Sequence, residues 1–493
     1  MRKYSLFILF VITSFFSINA QPKQEVRAVW LTTAYGMDWP RIKVRDSNDI
    51  KRQKDELIDI LDQLQVAHFN TILFQVRTRG TVFYPSKIEP FDAELTNRKN
   101  GNPGYDPLSF VIEECHKRGM ECHAWIVAIP LGSQNHVRSL GNSSITKKKP
   151  SLCINYKRHY YLNPGHPETK SFLMSLVEEI IRNYDIDGIH FDYLRYPERA
   201  DRFPDQKEFR KYGKGLSLDQ WRKNNLTDIL RHIYRETKRI KPWVKVSTSP
   251  VGKLKDTPRY SSKGWNAFDV VHQDVNQWLQ EGIQDQIYPM MYFQGNNFFP
   301  FALDWKERSN NKHIIPGLGI YFLDPREGNW TLDEIERQMH FLRNHNLQGQ
   351  AFYRTEFLIR NTQEVFTLIK NDFYEYPALQ PPMPWLKDEA PTPPSSLKAE
   401  RVNFGYTHLT WTSSSSAMHE DVFYVMYGSN QYPVDCSKAK HIIAQRLTDT
   451  EYIYAPVFPW ESVRFFAVTT MDRYGNESEP IQLSPKLYND WWK

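Results

Sequence analysis

Residue 192 is an aspartate that closes a run of apolar and β-favouring residues, 186–192. Side chains alternate along a strand, so Gly188, His190 and Asp192 share one face. A carboxylate at a strand end can act as nucleophile or general base in the cleavage of a glycosidic bond. Arg195, in the loop that follows, favours the ionised form of this carboxylate. The alternative is a structural ion pair between Asp192 and Arg195.

This chemistry needs a second carboxyl group, about 5–5.5 Å from the first for retention of configuration or about 6.5–9.5 Å for inversion. Glu356 follows a predicted strand with the same parity as Arg354. We therefore predict Asp192 and Glu356 as the catalytic pair, with a loop salt bridge as the other role open to Glu356. Asp324, after another predicted strand, has a weaker claim.

Residues near other predicted strand ends are suited to holding a substrate. Gln75 and Arg77 share an inward face and could bind hydroxyl groups or an acidic substituent. Trp125 could stack on a sugar ring or fill the interior of a barrel. The predicted substrate-binding residues are Gln75, Arg77, Trp125, His190, Arg195, Tyr196, Tyr292, Asp324 and Trp39. No metal-ligand spacing or Ser-His-Asp order appears, so we predict no metal and no cofactor.

Alternating strand-like and helical patterns must position these residues. Helical spacing is clearest at Leu57, Ile60, Leu61 and Leu64. Such alternation predicts a parallel sheet, and eight repeats predict an α/β fold of the (β/α)8 TIM barrel type, with the site at the strand C-termini. An open doubly wound sheet is the alternative, but no Gly-rich loop follows the first strand. The predicted strands are 26–33, 70–77, 121–127, 186–192, 244–249, 286–293, 314–320 and 350–354.

A second domain follows the barrel pattern. Residues 377–394 contain seven prolines and are predicted to form a stiff linker after a domain spanning 21–376. Residues 395–493 switch to short strands separated by turns, which predicts a small all-β, immunoglobulin-like sandwich. This segment resembles a fibronectin type III module.

The N-terminus has the pattern of a signal peptide. Arg2 and Lys3 precede an apolar stretch, 6–16, and Ala20 offers a cleavage point. We therefore predict residues 1–20 as a signal peptide and an exported, periplasmic or extracellular protein without an integral membrane span. No nearby cysteine could accept a lipid, which argues against a lipoprotein. Export permits disulfides, and whether Cys115 and Cys122 pair is left open.

Composition narrows the classes of partner. The formal net charge of +6 is small for 493 residues, and Lys and Arg are dispersed, which argues against nucleic acid. The 14 Trp, 27 Tyr and 29 Phe indicate either a large aromatic core or a cleft lined with rings.

Many short motifs, recurring in one order, carry a resemblance to a known family. They are VRAVWL (26–31), DWP (38–40), FQVR (74–77), YPSK (84–87), NPGYDPL (102–108), HKRGM (116–120), HAW (123–125), DGIHFD (187–192), WRKNN (221–225), SPVG (249–252) and QIYPMMY (286–292). Over residues 25–375 the chain is similar to the glycosyl hydrolase-like 10 family. The resemblance implies a barrel exported to the bacterial envelope, with a polysaccharide substrate, above all peptidoglycan strands that have lost their stem peptides.

Three positions depart from a relative in the family. Tyr193, Arg79 and Asn163 stand where that relative has acids. The leading hypothesis is a glycoside hydrolase with Asp192 in a carboxylate pair. The departures motivate the alternative of a glycan-binding or scaffolding envelope protein on a barrel that has lost catalysis.

Overall fold

The computed structural model describes residues 21–402, 406–418, 421–456 and 462–483. The predicted signal peptide, 1–20, and the end of the predicted second domain, 484–493, lie outside the described residues. Within the continuous stretch 21–402, the strands that precede the Pro-rich segment are β1 (Val26–Leu31), β2 (Thr71–Thr78), β3 (Thr81–Val82), β4 (Glu121–Val127), β5 (Pro130–Ser133), β6 (Cys153–Tyr156), β7 (His159–Leu162), β8 (Gly188–Asp192), β9 (Lys245–Ser249), β10 (Gln286–Ile287), β11 (His313–Ile314), β12 (Gly317–Leu318) and β13 (Gly349–Phe352).

Ten of these strands form one sheet in the order β11-β10-β9-β8-β4-β2-β1-β13-β12, with β3 paired to β2. The pairs along this path are parallel. The strands at the two ends of the order, β11 and β12, are consecutive in the chain and separated by Ile315 and Pro316. The parallel sheet is therefore curled, and the strands at the two ends of its order lie next to each other in the chain, within residues 313–318.

Amphipathic helices cover the outside of the sheet. In α1, Leu57, Ile60, Leu61 and Leu64 are buried as their spacing predicted. The Asp46 carboxylate caps this helix by accepting hydrogen bonds from the backbone N–H groups of the first turn. The helices of this unit are α1 (Ser47–Val66), α2 (Pro107–Lys117), α3 (Gln134–Ser139), α4 (Ile145–Lys148), α5 (Thr169–Asn183), α6 (Gln206–Tyr212), α7 (Leu218–Ile240), α8 (Ala267–Val270), α9 (Val275–Gln280), α10 (Phe299–Glu307), α11 (Leu332–Asn344), α12 (Thr355–Ile359) and α13 (Val365–Leu368).

The predicted strands are confirmed in position, but most of them are shorter than predicted, and three differ most clearly. The run predicted as 286–293 is a strand only at Gln286–Ile287, and 314–320 is divided around Pro316. Pro289 and Pro316 each lack the N–H that a ladder needs, so regular pairing stops beside them. The run predicted as 350–354 stops at Phe352, because α12 begins at Thr355.

The chain between β4 and α5 forms a small antiparallel sheet in the order β5-β7-β6. Lys157 and Arg158, both with positive φ, form the two-residue turn between β6 and β7. Positive φ at both positions is the geometry of a tight hairpin turn. This insertion, which we call the β5–β7 sheet, stands beside the C-terminal ends of the central strands.

Two antiparallel sheets follow the Pro-rich segment, in the orders β14-β15-β18 and β17-β16-β19-β20. Trp411, Tyr424 and Phe466 are buried between them. The strands are β14 (Ser396–Arg401), β15 (Thr407–Thr412), β16 (Val422–Ser429), β17 (Ile442–Leu447), β18 (Glu451–Tyr454), β19 (Phe465–Asp472) and β20 (Ile481–Gln482).

This C-terminal module is fixed to the N-terminal ends of the central strands. Arg446 donates a hydrogen bond of 2.6 Å to Asp187, which lies just before β8. In the Pro-rich segment, the Leu379 carbonyl accepts from the backbone N–H of Glu25, just before β1, and Met383 is fully buried. The module and the Pro-rich segment thus close the end of the sheet opposite to the strand C-termini.

The four cysteines, at positions 115, 122, 153 and 436, are all free thiols, so Cys115 and Cys122 are not bonded to each other. Among the described residues, no helix has both the length and the apolar character needed to cross a membrane.

Candidate active site

A cavity of about 800 Å³ opens at the C-terminal ends of the central strands. Its lining includes Thr32 after β1, Thr78 at the end of β2, Val127 at the end of β4, Asp192 at the end of β8 and Ser249 at the end of β9. One side is formed by the β5–β7 sheet. The volume is in the usual range for small-molecule sites, about 300–1,000 Å³.

Aromatic rings form a large part of the lining. Tyr292 and Tyr353 are stacked with ring centroids 5.6 Å apart, and Tyr321 lies perpendicular to both. Burial raises the pKa of Tyr321 to about 12, so its hydroxyl stays neutral and can donate a hydrogen bond. The aromatic lining residues are Trp30, Tyr35, Trp125, Tyr156, Tyr160, Tyr161, Tyr193, Tyr196, Tyr292, Tyr321 and Tyr353.

Asp192 is the buried carboxyl group of this cavity, with 6% of its surface exposed. Its Oδ1 accepts a hydrogen bond of 2.7 Å from the backbone N–H of Tyr193, whose positive φ of 51° turns the chain sharply at the strand end. Burial raises the pKa of Asp192, while the positive charge of Arg195 and the Tyr193 hydrogen bond lower it; burial outweighs them. Protonation of this carboxyl group is thus easier than protonation of an exposed aspartate.

Five of the predicted binding residues line the cavity with Asp192. They are Gln75, Trp125, Arg195, Tyr196 and Tyr292. Gln75 also holds the chain after β1, because its Oε1 accepts hydrogen bonds from the backbone N–H groups of Thr33 and Ala34 at 3.0 and 2.8 Å. A sixth, His190, is fully buried beneath the cavity and contacts Trp30 and Ser247.

Arg77 and Trp39 are core residues and do not line the cavity. Gln75 pairs with Trp125, whereas Arg77 pairs with the next residue along β4, Ile126, so β2 contains an extra residue here. Such a bulge breaks the two-residue alternation on which the Arg77 prediction rested. Arg77 instead forms a fully buried ion pair with Glu89 at 2.6 Å.

Trp39 packs on Phe74, with ring centroids 5.8 Å apart, and donates to the carbonyl of Gln53 at 2.9 Å. Its indole ring is completely buried. It therefore offers no surface for a sugar ring.

The structure places Glu356 and Asp324 outside the cavity lining. Glu356 lies in the first turn of α12, where it is ion-paired with Arg354 at 2.8 Å and with Arg360 at 3.3 Å. Asp324 is ion-paired with Arg326 at 2.7 Å. These contacts are those of the loop salt bridge that was the alternative for Glu356.

Glu198 is a lining carboxyl group that the sequence analysis did not single out. It is exposed on the loop after β8. Burial raises the pKa of Tyr193 and of Tyr161, and the negative charge of Glu198 adds to both shifts. Glu198 therefore lies near both rings, at the mouth between the loop after β8 and the β5–β7 sheet. The β5–β7 sheet was also missed, although the run YKRHYY (156–161) concentrates rings and cations around two turn residues.

Asp38 is a further buried carboxyl group, close beside the cavity. It accepts hydrogen bonds from the backbone N–H groups of Thr32 at 2.7 Å and Glu356 at 2.9 Å, and so ties the end of β1 to the start of α12. Burial raises the pKa of Asp38 to about 6, against the opposing effects of its hydrogen bonds and of Arg354.

Within the described part of the chain, no group of three or more His, Cys, Asp or Glu side chains could hold a metal ion. What the cavity offers is a buried carboxyl group, many rings and a few cations at the C-terminal face of a curled parallel sheet. Such a site is typical of enzymes that cleave carbohydrates.

The chain belongs to the glycosyl hydrolase-like 10 family, whose sequence model matches residues 25–322. Glycosyl hydrolase YngK of Bacillus subtilis (strain 168) is 31% identical over 500 residues, covering 97% of this chain and 96% of the relative. Glycosyl hydrolase DigH of Escherichia coli (strain K12) is 34% identical over 293 residues, covering 55% of this chain and 66% of the relative. The protein is thus a glycoside hydrolase, as predicted.

Among solved structures, the glycoside hydrolase domain of PgaB (BpsB) from Bordetella bronchiseptica aligns with 70% of this chain and 98% of its own. The TM-score is 0.46 and the sequence identity 15%.

Proposed function

We propose that this protein is an exported enzyme that cleaves a bacterial envelope glycan, with peptidoglycan strands lacking stem peptides as its substrate. The observation that supports this most is the buried carboxyl group of Asp192 at the base of a ring-lined cavity about 800 Å³ in volume. Rings of this kind stack on the apolar faces of sugars. Export rests on the signal-peptide pattern of residues 1–20.

In this proposal Asp192 is the general acid. Burial favours its protonated form, and a protonated carboxyl group can donate its proton to the glycosidic oxygen as the bond breaks. Glu198 supplies the second carboxyl group that the reaction needs, in place of Glu356. Tyr292, Tyr321 and Tyr353 position the sugar by ring contact and by hydrogen bonds from neutral hydroxyl groups.

We also infer that the curled sheet with its outer helices is a complete (β/α)8 TIM barrel. The support is the split strand 313–318, whose halves pair with β10 and with β13. For the C-terminal module we infer an immunoglobulin-like sandwich of the fibronectin type III kind, because its first, second and fifth strands form one sheet and the others form the second.

The Asp192→Asn variant tests the function. We expect release of fragments from peptide-free peptidoglycan strands, measured by mass spectrometry, to fall about 100-fold or more, since general acid catalysis contributes roughly 10²–10⁴. Thermal stability and glycan binding should be nearly unchanged. Asp333→Asn, on the exposed start of α11, is the matched control. Full activity in Asp192→Asn would refute the assignment of the acid.

A further inference from the structure

A second polar region of the cavity lies where the chain after β2 meets the β5–β7 sheet. His136 Nε2 is 2.9 Å from the backbone carbonyl of Arg79. In the β5–β7 sheet, Ser133 pairs with His159, the first residue of β7. Lys157 lies in the turn just before it. Arg79, His136, Lys157 and His159 all line the cavity.

The Arg79 guanidinium group is held against a ring, and its ion pair is longer than a hydrogen bond. It stacks on the ring of Tyr35, 3.9 Å from the centroid. It forms an ion pair with Asp92 at 3.9 Å, and its Nε is buried without a hydrogen-bond partner among the described residues. Asp92 is itself engaged, because it accepts hydrogen bonds from the Thr81 hydroxyl and from the backbone N–H of Glu94.

Stacking on a ring leaves the in-plane N–H groups of a guanidinium free. Those groups match the two oxygens of a carboxylate, which Arg binds in a bidentate manner. Lys157 adds a second cation, with Nζ 4.8 Å from the Tyr156 ring and 3.5 Å from the carbonyl oxygen of Arg199. The lining acids, Asp192 and Glu198, form no ion pair with Arg79 or Lys157.

We propose that this region is a subsite for a sugar that carries a carboxylate, with Arg79 as the anion-binding side chain and Lys157 as its support. This rests on the proposed function, because it assigns the charge of the substrate in the same cavity. With a neutral glycan, Arg79 would have only the distant carboxylate of Asp92, at 3.9 Å, as its counter-charge. In peptide-free peptidoglycan strands every second sugar has a free lactyl carboxylate, which is the chemistry that the subsite requires.

The test compares two forms of one substrate. Peptide-free strands are used as prepared and after chemical reduction of their carboxylates to alcohols. We expect the wild-type protein to have a kcat/KM about tenfold or more higher for the acidic strands, as expected for loss of a charge-assisted hydrogen bond. In Arg79→Gln this preference should fall to near unity, and Arg79→Lys should retain part of it. Arg239→Gln, on the exposed side of α7, controls for loss of one positive charge and should keep the full preference.

Equal rates on both strand forms in the wild type, or a preference that survives Arg79→Gln in a folded variant, would overturn the subsite. If neither form is cleaved, the proposed function fails, and calorimetric binding of the same strands decides the subsite separately. Tighter binding of the acidic strands that is lost in Arg79→Gln supports it; absent or charge-independent binding overturns it.

Discussion

Trp30 Nε1 lies 3.2 Å from Nε2 of His190, directly beneath the cavity. An indole nitrogen can only donate, so Nε2 of His190 must be the unprotonated acceptor. The proton therefore sits on Nδ1, which is 2.9 Å from the Ser247 hydroxyl. Burial also holds the pKa of His190 well below its usual value. His190 is thus a neutral residue that fixes Trp30, rather than an acid or base.

This tautomer can be observed directly. We expect ¹⁵N chemical shifts of His190 to show a protonated Nδ1 and to remain unchanged between pH 5 and 8. Exposed His340 serves as the internal reference, because it lies on the outer face of α11. Titration of His190 within this range would contradict the neutral assignment.

Separate replacement of Glu198 and of Glu356 shows which of them supplies the second carboxyl group of the reaction. We expect Glu198→Gln to lower kcat by roughly 10²-fold or more, since it removes the second carboxyl group at the cavity. Glu356→Gln should act mainly on stability, because Glu356 is bound to arginines outside the lining. Steady-state rates and thermal midpoints of both variants give the comparison. A large loss of kcat in Glu356→Gln alone would restore the pair predicted from the sequence.

The pH profile of Arg195→Gln reports the role of Asp192. The positive charge of Arg195 lowers the pKa of Asp192, so its removal should raise that pKa further. If Asp192 must be protonated, the decline of kcat/KM at high pH then moves to higher pH. Arg202→Gln, 90% exposed on the same loop, should leave the profile in place. An upward shift of the acidic limb would instead make Asp192 a base or nucleophile.

Asp38 makes stability depend on pH in a defined window. Its folded-state pKa of about 6 exceeds its ordinary value of 3.8, so the folded protein keeps a proton that the unfolded chain releases. The resulting stabilisation is complete below pH 4 and is lost as the pH rises to about 6. Relative to Asp38→Asn, the free energy of unfolding of the wild type should therefore fall across this window, by at most ~3 kcal/mol. Urea titrations from pH 4 to 7 measure it, and a constant difference would contradict it.

The sequence was sufficient for the central strands because their apolar runs are buried on both faces, as parallel strands require. It also placed Asp192 correctly at the end of β8. Pro289 and Pro316 are visible in the sequence, and they would have allowed two of the strands to be predicted as shorter. The antiparallel β5–β7 sheet was harder to recognise, because its strands have four residues each and its local signal is confined to the run 156–161 inside a long insertion.

The residues misplaced in the site came from assuming that side chains alternate between two faces beyond the part of each strand that is regular. The bulge in β2 turns Arg77 away from the cavity, and α12 begins before Glu356. Both features depend on contacts with other segments, such as Glu89 for Arg77, and leave no local pattern. Glu198 was not predicted because its position at the mouth of the cavity depends on the path of the loop after β8.

The Asp187–Arg446 contact decides on which side of the protein the C-terminal module lies. It fixes the C-terminal module behind the sheet, while the cavity opens in front. If the module binds a surface, that surface would therefore lie on the side of the protein opposite to the bond that is cut in the proposed reaction.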